Sequence, residues 1–545
     1  MIYAGLLLVL AVTMSMLSSC RDDDAPRSND LFRPKLASGY PKAEKNTIKL
    51  LWYEVIGAKS YTIQISNDEE FSRILFDVET TDYFYTSPSL PYDTKFYIRM
   101  RTNAQNEINN SIWSTAEVTT EVREVEPVLY DVLEDDIRET AVVLRWKVDD
   151  NYPVDYVTLT PNETGNVIEM GIDRKTFSEG YLLIEGLEPN TSYRATLYNN
   201  AVESVYERAY NTVSFKTAGA PDGARIVNDG DDLGALLKND QQDNSVPDGQ
   251  IYYLRNGSFN ISGFKFIKGF NIMGAIGSTV SVNIDASFTP VTDNAGEICF
   301  TNLHVTGSQR IIDNNENDGE SYTWKGIKLT KCTVSGFPTG FIRLQTSTGN
   351  VKTITTFEID NCLFDGMLGG RLIETNNFSD QSVISAEIKS VKIHNSTFLN
   401  SPKMLLLFLP DAYGYSGSNI QFEMINVTIV EALCNGKNRM IQMNRLPKTT
   451  STVTIQKCLF SNEACAYDDT YMFYETCLCG SATTSYSDNY LTGNRMETGR
   501  KGVGAKALNI SQDQLFEDFL SGNLTIKDKN SVIFINQIGD PRWIK

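Results

Sequence analysis

Five residues in the C-terminal half of the chain each open a short β-rich segment and could do chemistry together: Phe341, Arg371, Lys403, Arg439 and Tyr471. The segments are Phe341-Ile-Arg-Leu344, Arg371-Leu-Ile-Glu374, Lys403-Met-Leu-Leu406, Arg439-Met-Ile-Gln442 and Tyr471-Met-Phe-Tyr474. Stacked as parallel strands, they would carry their first residues in one column with rungs about 5 Å apart. Three cations on one face would attract an anionic chain molecule. Phe341 and Tyr471 at the ends of the column could lie against sugar rings. The alternative is that long cationic side chains lay their stems over apolar neighbours and keep the surface hydrated.

A second candidate is the polar stretch Asp313-Asn-Asn-Glu-Asn-Asp318, which offers the hard oxygen ligands that Ca²⁺ prefers. It lacks the glycine and terminal glutamate of an EF-hand at the required offsets, and a surface loop is the other reading. Asp360, Asp365, Asp380 and Asp411 are scattered, so no carboxylate pair claims opposed acid and base roles. The two histidines, His304 and His394, complete no zinc set with the nine cysteines.

The column depends on a repeat. Seven rows share one pattern: Phe300-Thr-Asn-Leu-His-Val305, Leu329-Thr-Lys-Cys-Thr-Val334, Ile359-Asp-Asn-Cys-Leu-Phe364, Ile393-His-Asn-Ser-Thr-Phe398, Met424-Ile-Asn-Val-Thr-Ile429, Ile455-Gln-Lys-Cys-Leu-Phe460 and Tyr486-Ser-Asp-Asn-Tyr-Leu491. Their first residues are 29, 30, 34, 31, 31 and 31 apart. Each row is too short for a helix and is rich in β-branched and aromatic residues. The third position holds Asn302, Asn361, Asn395 and Asn426, with Lys331, Lys457 and Asp488 in the other rows. Asn tolerates the left-handed backbone of a sharp bend between strands, and stacked Asn side chains can bond from coil to coil. The fourth and sixth positions are small or apolar and suit a narrow interior, so Cys332, Cys362 and Cys458 read as small packing residues. A period near thirty with two aligned strand columns implies a stacked solenoid. An antiparallel sandwich does not repeat an Asn-centred row at this period.

The pattern resembles the right-handed parallel β-helix of the pectate-lyase-like superfamily. Gly249–Leu254, Phe266–Met273 and Val280–Ile284 look like that fold's opening coils. Leu233, Leu236 and Leu237 follow Asp231 and Asp232 at helical spacing and are expected to form a cap helix over the open end. In such lyases, stacked bases hold a uronate chain, Ca²⁺ assists, and an Arg or Lys abstracts the C5 proton. The resemblance therefore implies Arg371, Lys403 or Arg439 as a candidate base. The paired Asp motifs, Gly-His-Gly and Arg-Ile-Lys of polygalacturonases on this fold are absent. So are the Arg-x-Pro-x-x-Arg and Trp-x-Asp-His signatures of the commonest pectate lyases.

Residues 1–20 read as a targeting segment. The apolar run Gly5–Leu17 is too short to span a bilayer, and Leu17-Ser-Ser-Cys20 resembles a bacterial lipobox, which implies lipidation at Cys20. No Lys or Arg precedes the run, a departure from that pattern, and a plain secretory signal is the alternative. The acidic linker 21–31 begins Arg21-Asp-Asp-Asp24 and resembles the surface-export signal of Bacteroidota lipoproteins; a solvated linker is the other reading. Residues 32–121 and 126–218 each read as a β-sandwich. Trp52, Tyr61, Ile63 and Ile65 are spaced as core positions in the first, as are Val143, Trp146 and Val157 in the second. Leu187-Glu-Pro-Asn-Thr-Ser-Tyr193 resembles the fibronectin type III tyrosine corner. Phe96 stands at the corresponding place in the first module, so the corner hydrogen bond is expected there to be missing. A linker at Ala218–Gly223 leads into the β-helix, 224–500, and a closing segment, 501–545. That segment, with Gly539-Asp-Pro-Arg-Trp543 near its end, resembles the closing segment of a group of Bacteroidota lipoproteins and is expected to pack along or over the end of the helix.

A formal charge of −19 opposes non-specific nucleic-acid binding. It also disfavours a polyanionic substrate unless a local basic patch or Ca²⁺ offsets it. One disulfide among Cys465, Cys477 and Cys479 is plausible in an oxidising compartment, with the pairing open. The expectation is an all-β outer-membrane lipoprotein in which two fibronectin type III-like modules carry a parallel β-helix. It would bind a polysaccharide, acidic if the basic column is real, alongside other uptake-system proteins. A Ca²⁺-dependent polysaccharide lyase and an adhesin or scaffold are the alternatives.

Overall fold

The computed structural model describes residues 30–162, 165–291, 293–314, 321–346, 351–367, 371–377, 386–401, 407–409, 419–432, 440–443, 450–464 and 466–545. By contact, the chain forms two compact units. One holds the described residues up to Val132 with Val143–Leu183 and Ser192–Phe215; the other holds Leu133–Val142, Ile184–Thr191 and Lys216–Lys545.

The first sandwich has a three-stranded sheet (Lys42–Glu44, Thr47–Leu51, Phe84–Thr86) and a four-stranded one (Ile74–Thr80, Ser60–Ser66, Lys95–Asn103, Ser114–Thr119), all antiparallel. Period-two alternation sends Trp52, Tyr61, Ile63, Ile65, Phe96, Ile98 and Met100 into one core. The second module has the same architecture. Its four-stranded sheet runs Ile168–Gly171, Tyr156–Pro161, Ser192–Tyr198, Ala209–Lys216, and Ala141–Arg145 pairs with Tyr181–Glu185. Tyr193 is buried and stacks on Phe215 at 5.7 Å. Trp146 is buried and its Nε1 donates to the Phe177 carbonyl at 3.2 Å. Val143 is only half-buried, because alternation turns Val142 and Leu144 inward instead.

From Arg225 onward the chain winds into a solenoid of parallel sheets. Sheet A has ten strands, from Arg225–Val227 to Thr483–Ser487, and sheet B has ten, from Gly257–Ile261 to Lys506–Ala507. Sheet C has six: Ile312–Asn314, Ile342–Thr346, Ile373–Asn377, Leu407–Leu409, Ile441–Met443 and Cys477–Leu478. Each repeated row is the end of an A strand, a bend, and the start of a B strand. The bend residues Asn302, Lys331, Asn361, Asn395, Asn426, Lys457 and Asp488 have φ of 54°, 54°, 53°, 48°, 55°, 53° and 53°. This is the left-handed region that Asn tolerates best among residues with a side chain.

Backbone bonds continue through the bends, from Asn302 N to Thr330 O at 2.9 Å and from Asn426 N to Gln456 O at 3.2 Å. The expected amide ladder is partial. Asn426 donates to Asn395 at 3.1 Å, but Asn395 donates to Asp360 at 2.8 Å and Asn302 to the Gly274 and Ala275 carbonyls at 3.0 and 2.9 Å. Lysines 331 and 457 and Asp488 interrupt the run of amides.

The sixth-position residues Val305, Val334, Phe364, Phe398, Ile429, Phe460 and Leu491 pair in that order and are fully buried. Phe364 stacks on Phe398 at 4.9 Å. The fourth position does more than fill space. The Cys332 N–H donates to Cys362 Sγ at 3.4 Å, Cys362 N–H to Ser396 Oγ at 3.0 Å, and Cys458 N–H to Asn489 Oδ1 at 3.0 Å. In these three steps the later coil supplies an acceptor for a buried N–H in the coil before it. Replacing Ser396 by Ala should cost about 1–3 kcal/mol, the cost of an orphaned buried donor. Ser396→Cys, which keeps an acceptor, should cost less in the same urea titration; equal losses would show that the bond is immaterial.

The N-terminal opening is covered by the helix Leu233–Asp240, capped by Asp232, whose carboxylate accepts from Ala235 N at 2.9 Å. Leu233 and Leu237 enter the solenoid core. The C-terminal segment does not continue the coil beyond Ala507. It turns back along the outer face of sheet B, where Leu515, Phe516, Leu524, Ile526, Ile533 and Ile538 cover Leu399, Val430 and Leu459. Its last residues cross successive coils. Gly539 N donates to Lys457 O at 2.8 Å, Asp540 N to Thr428 Oγ1 at 2.9 Å, Thr397 Oγ1 to Asp540 Oδ2 at 2.8 Å, and Arg542 Nη2 to Asn361 O at 2.9 Å.

Candidate functional site

Sheet C places Asp313, Arg343 and Glu374 in register on three consecutive coils. Their neighbours Ile312, Asn314, Ile342, Leu344, Ile373 and Thr375 point inward and are buried, so alternation sends the three charged side chains to the outer face. Arg343 grips Asp313 with a two-pronged contact, Nε to Oδ1 at 2.6 Å and Nη2 to Oδ2 at 3.0 Å. Arg310 lies between the two acids, 3.3 Å from Asp313 Oδ2 and 3.8 Å from Glu374 Oε2. Arg371 pairs with the other oxygen of Glu374.

Arg310 and Arg371 stand at equivalent points just before their strands, and Gly340 holds that point on the coil between them. At Gly340, with φ of 112°, a Cβ would lie 2.5 Å from the Arg371 carbonyl oxygen and 3.5 Å from Arg310 Nε. The missing side chain leaves the Arg310 guanidinium room to reach across a rung. The result is three guanidinium forks and two carboxylates on one face, with planar geometry suited to carboxylate recognition.

The column expected from the sequence is differently composed. Phe341 is fully buried against Phe337, Phe357 and Phe364, with ring centroids 4.9, 6.3 and 6.1 Å away, and cannot meet a sugar. With Ile342 paired to Ile373, Phe341 aligns with buried Leu372 and not with Arg371. A single-residue shift in phase changes the face. Tyr471 does not belong to sheet C. It lies in Tyr471–Glu475, which pairs with Met496–Arg500, and the sheet C strand of that coil is Cys477–Leu478. Of the five, Arg371 is on the charged face; Lys403 and Arg439, like Cys20, lie outside the described residues. The strands expected to start at Lys403 and Arg439 are found at Leu407–Leu409 and Ile441–Met443.

The Asp313–Asp318 stretch is described as far as Asn314. Both Asp313 oxygens are engaged by Arg343, and Asn314 is buried beside Tyr322. Among the described residues, no group of three or more His, Cys, Asp or Glu could hold a metal. Arg310 and Arg343 were not singled out in the sequence. The signal was there: Ile342-Arg343-Leu344 alternates, and Asp313, Arg343 and Glu374 recur at close to the coil period.

A second concave surface runs along the bend edge, a cleft of about 940 Å³ lined by Asn302, Lys331, Asn361 and Asn395 with Glu134 and Arg542. Glu134 and Lys331 form an ion pair at 2.7 Å across it, and Arg542 is held by the Asn361 side chain at 3.0 Å. Internal contacts thus engage Glu134, Lys331 and Arg542 in it.

No protein-family model matches the chain, and no curated protein matches it. Among solved structures, a two-domain fibronectin type III segment of chicken tenascin is similar at 13% identity over 35% of this chain and 99% of that one, with a TM-score of 0.17. The FN1–FN3 domains of chicken CNTN1 are similar at 14% identity over 36% of this chain and 69% of that one, with a TM-score of 0.15. The strand order given above makes the chain an all-β protein with two fibronectin type III-like sandwiches followed by a parallel β-solenoid.

Proposed function

We propose that this is a cell-surface binding protein, lipid-anchored through Cys20, that holds an acidic glycan on the outer face of sheet C without cutting it. The charged lattice of Arg310, Arg343 and Arg371 with Asp313 and Glu374 carries the reading. Uronate carboxylates spaced along a chain can replace Asp313 and Glu374 on the guanidinium forks, exchanging one ion pair for another with little net desolvation. Two sandwich modules between anchor and solenoid serve as spacers, and an uptake system or a cell-surface adhesion layer is the setting.

Binding fits these residues better than elimination chemistry. An arginine paired with a carboxylate stays protonated and is a poor proton acceptor. A scaffold role has its own support on the first module, where Tyr53, Tyr83 and Phe84 are 59%, 53% and 57% exposed. They adjoin one another, since Trp52 N bonds to Tyr83 O at 3.0 Å and Leu51 pairs with Phe84.

Native gels cast with polygalacturonate or alginate test the proposal. Retardation is expected, weakening with salt. It should fall by at least about tenfold in apparent affinity, roughly 1.4 kcal/mol, in the combined Arg310→Ala, Arg343→Ala, Arg371→Ala variant. Undiminished retardation of a folded triple variant would remove the lattice from the account. Absorbance from unsaturated products should not rise on the same polymers, and a rise would favour the lyase.

A further inference from the structure

The described thiols fall into two groups. Cys332, Cys362 and Cys458 are buried in the bend column, with their sulfurs bonded to backbone carbonyls of the coils: Cys332 to Phe300 O at 3.4 Å, Cys362 to Asp360 O at 3.3 Å and Cys458 to Gln456 O at 3.3 Å. Cys299 on sheet A faces Glu297 at 3.3 Å, and burial beside that carboxylate pushes its thiol up to about 12. None of these has a second sulfur and an open approach together.

Cys477 and Cys479 are placed otherwise. Cys477 is in the last strand of sheet C, paired with Ile441, and is buried. Cys479 leaves that strand into a tight turn closed by Ala482 N to Cys479 O at 3.3 Å, with Gly480 at φ 59°. The turn leaves Cys479 partly buried at the edge of the core, less covered than Cys477. There the two thiols, two residues apart on one turn, influence each other's charge, and the Tyr486 hydroxyl lies 3.5 Å from Cys479 Sγ. Both thiols are free.

We propose that Cys477-Leu-Cys479 is a thiol–disulfide exchange site for low-molecular-weight disulfides, with Cys479 as the attacking sulfur and Cys477 as the resolving one. Cys479 thiolate attacks one sulfur of R–S–S–R, forming Cys479–S–S–R and releasing RS⁻. Cys477 then loses its proton to solvent and displaces the second RS⁻, leaving a Cys477–Cys479 disulfide. The two electrons reduce R–S–S–R to two thiols. Accessibility sets the order, because Cys477 is covered and Cys479 is reachable. Bonds from the Cys477 thiol and the Tyr486 hydroxyl lower Cys479 to about 6, whereas the neighbouring Cys479 and burial push Cys477 up. Cys479 is therefore largely thiolate at neutral pH, where an ordinary thiol is not.

The test uses the full-length reduced protein and the aromatic disulfide dithiobis(nitrobenzoate). The expected result is a fast phase releasing two thionitrobenzoates per chain, half-maximal near pH 6. Peptide mapping should then find Cys477 joined to Cys479. Cys477→Ser should stop after one release with the reagent's half retained on Cys479, and Cys479→Ser should lose the fast phase. A first label mapped to another cysteine, a stable mixed disulfide in the unmodified protein, or a fast phase surviving in Cys479→Ser would each overturn the proposal. The mapping on the unmodified chain decides the matter even if a serine variant misfolds.

Discussion

Ending the chain at Asn509 should leave a protein that no longer unfolds as one cooperative, soluble species. The segment removed is a second layer over sheet B. Leu399, Val430 and Leu459 lie on the outward side of that sheet and are at most 2% exposed only because Leu515, Phe516, Leu524, Ile526, Ile533 and Ile538 cover them. Nine buried apolar side chains at about 1.5–3 kcal/mol each amount to as much as the whole stability of an ordinary domain, about 5–15 kcal/mol. The truncated chain would also bare an apolar sheet face prone to association. A point change examines the same contact more finely. Gly539 has φ of 90°, and a Cβ there would lie 2.5 Å from Thr428 Oγ1 and 3.3 Å from Leu459 Cβ. Gly539→Val should lower stability by about 3 kcal/mol, combining backbone strain with overpacking. A truncated protein with an unchanged melting curve would show that the tail is not part of the folded unit.

Phe341→Ala should cost about 3–5 kcal/mol in a denaturant titration, as for other buried phenylalanines, and leave glycan retardation intact wherever the protein remains folded. Arg343→Ala should do the reverse. It removes the fork on Asp313, which Arg310 still accompanies at 3.3 Å, so stability should fall by only about 1 kcal/mol while retardation weakens. These opposite outcomes separate an interior aromatic from a surface one. Loss of retardation in folded Phe341→Ala protein would restore the original column.

That contrast marks where the sequence was readable. The bends were legible because a left-handed backbone narrows the choice of residue, and Asn302, Asn361, Asn395 and Asn426 mark it directly. The inward columns from Val305 to Leu491 were legible because each row carries its own phase. Sheet C was not. Segments such as Phe341-Ile342 and Leu372-Ile373 place two apolar residues in succession at the bend, and both are buried, so alternation has no unique starting point. Tyr471 was misplaced because this coil inserts an extra strand, Tyr471–Glu475, ahead of its sheet C strand. The charge lattice joins residues about thirty positions apart, and its pairing follows only once the register is known. The tail's position had one local trace. Thr397-Phe398-Leu399 and Thr428-Ile429-Val430 break alternation with three buried residues in a row, which a strand shows when both of its faces are covered.

The polar role of the bend thiols was likewise hidden in the residue type. Cysteine reads as a small apolar residue, yet Cys362 accepts from the Cys332 backbone as Ser396 accepts from Cys362. Cys362 and Ser396 at this position are small side chains that both pack and accept.

The most direct measurement is a crystal structure of the protein grown with a short oligouronate. The expected density lies along the outer face of sheet C, with sugar carboxylates within hydrogen-bonding distance of Arg343 and of Arg310 or Arg371, and with Asp313 or Glu374 displaced from its guanidinium partner. Ordered sugar elsewhere on the protein, with the Arg343–Asp313 pair undisturbed, would contradict the account.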